Sequence, residues 1–219
     1  FMPEEAHYGY IATKQALDNA GIDEDYLSTH EVGIIYGNDS VAEATMTSLD
    51  KFRQANSTVA CGSGAIFQSM NSNITMNLAC LFKLRGINLT AAAACASGSQ
   101  SIGLGALLIA QGLQDCVVCG GAEENNMYGI ASFDGIQAFS IREGEPAKAS
   151  RPFDASRDGL VPSGGGATVI LESYEHAVKR GAKIIAEVVS WGFSGNGDHI
   201  STPKLEGPAR SLELCLRNG

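Results

Sequence analysis

No stretch of about 18 consecutive apolar residues, the length of a membrane-spanning helix, occurs anywhere in the chain. The longest candidate, Ile102 to Leu113, is interrupted by Gly103, Gly105 and Gln111, so no membrane span is expected. The opening Phe1-Met2-Pro3-Glu4-Glu5 has neither the basic start nor the apolar centre of a signal peptide. Basic residues are scarce: 15 Lys and Arg stand against 24 Asp and Glu, a formal charge of −9. That balance argues against a nucleic-acid partner, which needs a basic face. The nearest approach to a basic cluster in the first half, Lys51-Phe52-Arg53, reads as a solvated helix face. There is no repeat of roughly 20 to 50 residues, no low-complexity tract and no evident linker.

The six cysteines do not form a metal-binding pattern. Cys116-Val-Val-Cys119 has metal-like spacing, but its β-branched centre and the Gly120-Gly121 that follows read as a buried strand. No second pair and no His at ligand spacing completes a zinc site, so no metal is expected. Free cysteines in apolar or small-residue runs fit a reducing, cytoplasmic compartment.

What is present is an alternation of helices and short apolar strands. Helical spacing covers Glu4 to Ala20, with Gly21 as a stop. Val32–Tyr36, Ile87–Ala91, Cys116–Gly121, Gly165–Leu171 and Ile184–Phe193 read as strands, Gly165–Leu171 as a buried one. Ser40 to Phe52 reads as a helix with a Ser40 and Glu43 capping box. A further helix runs to about Leu84. Others follow Cys95 and cover Asn126–Gly135, Ser173–Arg180 and Gly207–Arg217. The polar stretch from Ser140 to Gly159, with Pro146 and Pro152, is mostly loop. Such alternation predicts an α/β fold with both sheet faces covered.

The chemically informative stretch is Thr90-Ala-Ala-Ala-Ala-Cys95-Ala-Ser-Gly-Ser-Gln100. A strand delivers Cys95 to a turn of very small residues, and a helix departs at once. Small neighbours admit a substrate carbonyl closely. Unpaired N–H groups and the positive dipole end at a helix start favour a thiolate and could hold an oxyanion. This is the strand–nucleophile–helix logic of a nucleophile elbow with sulfur in place of oxygen. Taken locally, a buried structural cysteine fits the same residues equally well.

The surrounding motifs separate the two readings. Cys95-Ala-Ser-Gly, a helix, then Gly120-Gly121-Ala-Glu123 resembles the stretch shared by thiolases and β-ketoacyl synthases. Arg151-Pro-Phe-Asp-Ala-Ser-Arg-Asp-Gly-Leu-Val161 followed by Gly164-Gly-Gly-Ala167 closely resembles a β-ketoacyl synthase signature that thiolases lack. Val169-Ile-Leu-Glu172, Glu175-His-Ala177, Arg180-Gly-Ala182 and Ala186-Glu187-Val188 fit that family in order and spacing. The resemblance extends over nearly the whole chain.

It implies a thiolase-like αβαβα layered fold, of which residues 1–219 would be the first half plus the start of the second. It also implies a mechanism. The Cys95 thiolate takes an acyl group from a carrier protein, and two histidines assist decarboxylation of a malonyl carrier so that the resulting carbanion attacks the enzyme thioester. The implied partners are acyl carrier protein and a second copy or a related subunit. No cofactor is implied beyond the phosphopantetheine that carries the substrate. A non-catalytic partner subunit, and a thiolase-type coenzyme A acyltransferase, remain as alternatives.

Two departures bear on function. The family pairs its Cys with two histidines further along the chain, one in an HGT-type motif. Only His7, His30, His176 and His199 are present here, and none has that context. The chain is therefore expected to be a fragment that begins part-way through the family pattern and condenses nothing alone. His7, His30 and His176 read as solvated. His199-Ile-Ser-Thr-Pro203 falls where the family has a loop lining the pantetheine channel, so Ser201 and Thr202 are candidate hydrogen-bond partners for that arm. The second departure is Gly37-Asn38-Asp39-Ser40 after the first strand, where an acyl-gating turn is expected. A carboxylate there is expected to point away from the pocket as a helix-start residue, the alternative being a pocket built for a polyene or polyketide-type substrate rather than the plain saturated chain of fatty-acid synthesis.

Overall fold

The computed structural model describes residues 1–202 and 204–219. In chain order the elements are α1 (Glu4–Ala20), α2 (Glu24–Thr29), β1 (Gly33–Gly37), α3 (Glu43–Ala55), α4 (Ala65–Gln68), α5 (Asn73–Phe82) and β2 (Asn88–Ala91). They continue with α6 (Ser97–Ala110), β3 (Cys116–Glu123), α7 (Met127–Gly135), β4 (Gly165–Glu172), α8 (Tyr174–Lys179) and α9 (Glu206–Asn218). The strands form one sheet in the order β2-β1-β3-β4. β1 is parallel to both neighbours, and β4 returns antiparallel along β3, pairing Cys116 with Glu172 and Glu123 with Gly165.

Two-residue alternation along the strands builds two cores. Ile34, Tyr36, Val118 and Ala122 face α1 and α5, where they meet Ala6, Leu17, Ile74 and Leu78. Ile35, Val117 and Cys119 face α6, packing on Ile102, Leu108 and Ile109. Both faces of β1 and β3 are covered, which explains their nearly continuous apolar sequence. α1 ends where expected, with Gly21 in the left-handed region at φ 67°. Asn126 caps α7 by accepting the Gly129 N–H at 2.8 Å.

Several expectations are corrected. Ser40 does not cap α3. That helix starts at Glu43, and the N–H groups of Ala42 and Glu43 donate to Glu124 Oε1 at 2.7 and 3.0 Å. A charged acceptor held by the fold suits a helix N-terminus better than a neutral hydroxyl. The helix expected to reach Leu84 is two: α4, then α5 from Asn73, closed by Lys83 at φ 56°. β4 forms as read, but as an edge strand it is half-exposed rather than buried.

Residues 184–193 form no strand. The segment lies instead against α6 and α9. Ser190 Oγ donates to Cys215 O at 2.7 Å, Ser211 Oγ to Gly192 O at 3.0 Å, and Ser194 Oγ to Gly207 O at 2.7 Å. Of its main-chain groups, Gly192 O thus finds its partner on helix α9 rather than on a neighbouring strand.

Candidate active site

Cys95 stands on the turn between β2 and α6, two residues before the helix begins, and it is exposed. The turn is held by named hydrogen bonds. Ser97 Oγ accepts the Ala93 N–H at 2.8 Å and donates to Ala94 O at 2.7 Å. The Ala96 and Ser97 N–H groups close back on Ala93 O and Ala94 O, both at 3.1 Å. Ala94 lies in the left-handed region at φ 48°, a conformation costing an alanine about 1–2 kcal/mol. Such a residue persists where its surroundings over-determine it.

The remaining restraint comes from Asp39. Its Oδ1 accepts the Ala94 N–H at 2.9 Å, so its carboxylate faces the turn that carries Cys95 and does not point away as a helix-start residue. Asp39 is itself anchored. Asn71 Nδ2 donates to its carbonyl at 2.7 Å, and Asn38 Nδ2 donates to Asn71 O at 2.9 Å. The Asn38 N–H reaches Ala91 O at the end of β2, at 3.1 Å. The residue that departed from the family pattern thus shapes the turn carrying Cys95.

Glycine makes the close approach possible. A Cβ on Gly37 would lie 2.6 Å from Gly98 N, so only glycine lets the end of β1 touch the first turn of α6. Buried Ser101 fixes the same helix to β3, its hydroxyl within 2.7 Å of Gly98 O and Gly120 O and 3.1 Å from the Gly120 N–H. The elbow differs from the expected one in a single respect. The N–H groups of Ala93, Ala94, Ala96 and Ser97 are engaged by the turn itself rather than left for a ligand.

Beside Cys95 a cleft of about 510 Å³ runs along α6. Ala96, Gln100 and Ile102 form one wall, with Trp191, Phe193 and Asn196 opposite. Ser201 and Thr202 are exposed and do not line it. They sit on a turn whose N–H groups donate to His199 Nδ1 at 3.1 and 3.0 Å. Pro203 of the same motif lies outside the described residues. His199 therefore organises that turn. His176 is not solvated as read: it is half-buried, with Nδ1 2.9 Å from Glu172 Oε2 and Nε2 3.2 Å from the Tyr26 hydroxyl. His30 stacks on Tyr26 at 4.1 Å between ring centroids. Both histidines line a second cleft with Glu31, Asp115 and Arg180, at the sheet end opposite Cys95.

Burial pushes the Cys116 and Cys119 thiols up to about 12, which leaves them protonated and inert at neutral pH. Cys95 is set apart from them by its exposure and its place on the turn.

The model of the β-ketoacyl synthase N-terminal domain matches residues 1–177. The chain belongs to the β-ketoacyl synthase family. As a β-ketoacyl synthase it is 38% identical over 218 residues to 3-oxoacyl-[acyl-carrier-protein] synthase 1 of Haemophilus influenzae, covering 99% of this chain and 54% of that one. It is 45% identical over 125 residues to 3-oxoacyl-[acyl-carrier-protein] synthase 2 of Vibrio cholerae, covering 56% of this chain and 30% of that protein. Among solved structures it superposes on a β-ketoacyl synthase from Burkholderia phymatum with a TM-score of 0.91 and 36% identity, over 99% of this chain and 53% of that one. The ishigamide ketosynthase/chain length factor gives a TM-score of 0.88 at 29% identity, over 99% and 53%. The chain spans about half the length of the curated relatives it matches across its full extent. The fold is the thiolase-like one these ketosynthases share, and the thiolase reading of the Cys95 stretch gives way to the ketosynthase reading.

Proposed function

We propose that this β-ketoacyl synthase chain takes acyl groups from acyl carrier protein onto Cys95, as the first half-reaction of a decarboxylative condensation. The observation that carries the reading is the turn itself: a fixed, exposed cysteine at the junction of strand and helix, inside a family match that reaches to residue 177.

In this reaction the Cys95 thiolate attacks the carbonyl carbon of a carrier-bound thioester. The tetrahedral intermediate then collapses, breaking the carbon–sulfur bond to the carrier. The carrier leaves as its thiolate and is protonated by solvent, while the acyl group remains as a Cys95 thioester. Because the turn engages four of its own N–H groups, the oxyanion falls to donors beyond them, beginning with the N–H of Cys95. The apolar side chains of Ile102, Trp191 and Phe193 on the two sides of the cleft suit an acyl chain, and Ser201 and Thr202 are the proposed hydrogen-bond partners of the pantetheine arm. A second copy of the chain or a related subunit is the proposed oligomeric partner, and the cytoplasm the proposed compartment. Residues 1–219 are read as the first half of the layered fold and the start of the second. None of the four histidines is assigned to the decarboxylation.

Site-resolved alkylation tests the elbow. With iodoacetamide limiting, Cys95 is expected to be modified ahead of Cys61, Cys80 and Cys215, while Cys116 and Cys119 stay unmodified in the folded protein. Modification of Cys80, the other exposed cysteine, as fast as Cys95 would remove the basis for an activated nucleophile.

A further inference from the structure

Away from the nucleophile, four buried side chains present oxygen atoms without a hydrogen-bond partner among the described residues: Glu5 Oε2, Asn38 Oδ1, Asn73 Oδ1 and Glu124 Oε2. None of these side chains belongs to the turn that carries Cys95. All four residues are at most 4% exposed. Each such atom costs about 1–3 kcal/mol if it stays unsatisfied, so four together demand an explanation.

The fold brings them to one place. Asn38 and Glu124 each lie two residues beyond a residue of the α1–α5 core, Tyr36 and Ala122, at the carboxyl ends of the parallel strands β1 and β3. Glu5 and Asn73 stand in the first turns of α1 and α5, the helices packed on that same face. Asn73 Nδ2 donates to Glu5 Oε1 at 2.8 Å. The Glu5 and Glu124 carboxyls are within hydrogen-bonding reach of each other.

The orientations are fixed. Asn73 Nδ2 is shared between Glu5 Oε1 and Met70 O, and Asn38 Nδ2 is bound to Asn71 O, so both amides turn their oxygens the other way. Glu124 Oε1 is fully used by Ala42 N, Glu43 N and Asn126 Nδ2, which leaves Oε2 over. Every group left over is an acceptor. A single proton between the two carboxyls would satisfy only two of the four.

We propose that Glu5, Asn38, Asn73 and Glu124 form a binding site for a hard cation, coordinated by two carboxylates and two amide carbonyls. An oxygen-only donor set without sulfur or imidazole selects alkali and alkaline-earth ions over zinc or copper. Two buried carboxylates favour a divalent ion, and amide carbonyls with flexible spacing suit calcium better than magnesium, which holds its waters.

Without the ion, burial raises the Glu5 carboxyl to about 7, with Asn73 and Glu124 as its side-chain neighbours. No charged residue lies on α5 or on the Gly165–Thr168 end of β4. Because Asn38 also holds Asn71, which holds Asp39, the ion would sit one step behind the Cys95 turn.

The test is thermal unfolding of the full chain, freed of metal by chelation, in calcium, magnesium, sodium or potassium chloride, with choline chloride at matched ionic strength as control. At pH 8 at least one of the four ions is expected to raise the melting temperature by about 5 °C over choline. The rise should vanish in Glu5→Gln. Asn73→Leu provides a second variant should Glu5→Gln fail to fold, and it too should lose the response. If no ion differs from choline at pH 8, or if the rise survives in a folded variant, the site is refuted. Failure here leaves Cys95 acylation untouched, so the two readings fall separately.

Discussion

Glu5 is the residue whose chemistry departs furthest from its sequence appearance. In the sequence it is one of two acids opening a helix, a position in which carboxylates normally favour the N-terminal dipole. In the structure it is fully buried, and desolvation outweighs the hydrogen bond from Asn73. Its folded value of about 7 lies above the ordinary 4.5, so the folded protein keeps a proton that the unfolded chain releases. The stability this proton confers is complete below about pH 4.5 and is lost as pH rises through 7. The shift corresponds to roughly 3 kcal/mol. In cation-free buffer, denaturant unfolding of wild type and Glu5→Gln at pH 5 and pH 8 should show the wild type losing about that much more stability than the variant. Equal losses would mean that Glu5 is ionised throughout. Nothing in the sequence marks this residue, because its burial depends on α1 packing beside α5 and the end of β3.

At the scale of elements, the strand–turn–helix unit around Cys95 was legible because tiny residues in a row leave few other conformations to a chain leaving a strand. Helices α1, α7 and α9 were legible from their periodicity and end signals. The devices that hold the turn were not, since Asp39 and Asn71 lie far from Cys95 in sequence and meet it only through the parallel pairing of β1 with β2. Local logic makes Asp39 a helix-start residue, whereas α3 takes its cap from Glu124. The missing strand at 184–193 has the same kind of cause: β-branched residues express a preference for extended chain, but a strand requires an edge to pair with. The support of the turn makes a prediction at this scale. Ser97→Ala removes the bridge between Ala93 N and Ala94 O, and Asp39→Ala removes the acceptor for Ala94 N. Each should cost about 1–2 kcal/mol of stability and slow Cys95 alkylation severalfold, with far-UV circular dichroism unchanged. Alkylation at the wild-type rate in both variants would show that the left-handed Ala94 holds its conformation unaided.

On the scale of the whole molecule, the chain is a layered α–β–α unit. Its apolar residues beyond β4, among them Ile185, Val189, Leu212 and Leu216, stay largely exposed. It also spans about half of the relatives it matches. The family was legible from the Arg151–Val161 signature, which lies in an exposed loop segment rather than in the core. The positions of the histidines were less so, since the sheet carries His30 and His176 to the end opposite Cys95. What is proposed for Cys95 is the first half-reaction of the condensation. Incubation with an acyl carrier protein bearing a labelled acyl thioester, followed by peptide mass spectrometry, should find a single hydroxylamine-labile acyl adduct on Cys95 and none on Cys95→Ala. Absence of any acyl adduct, or its appearance on Cys80 or Cys61 in place of Cys95, would contradict the account.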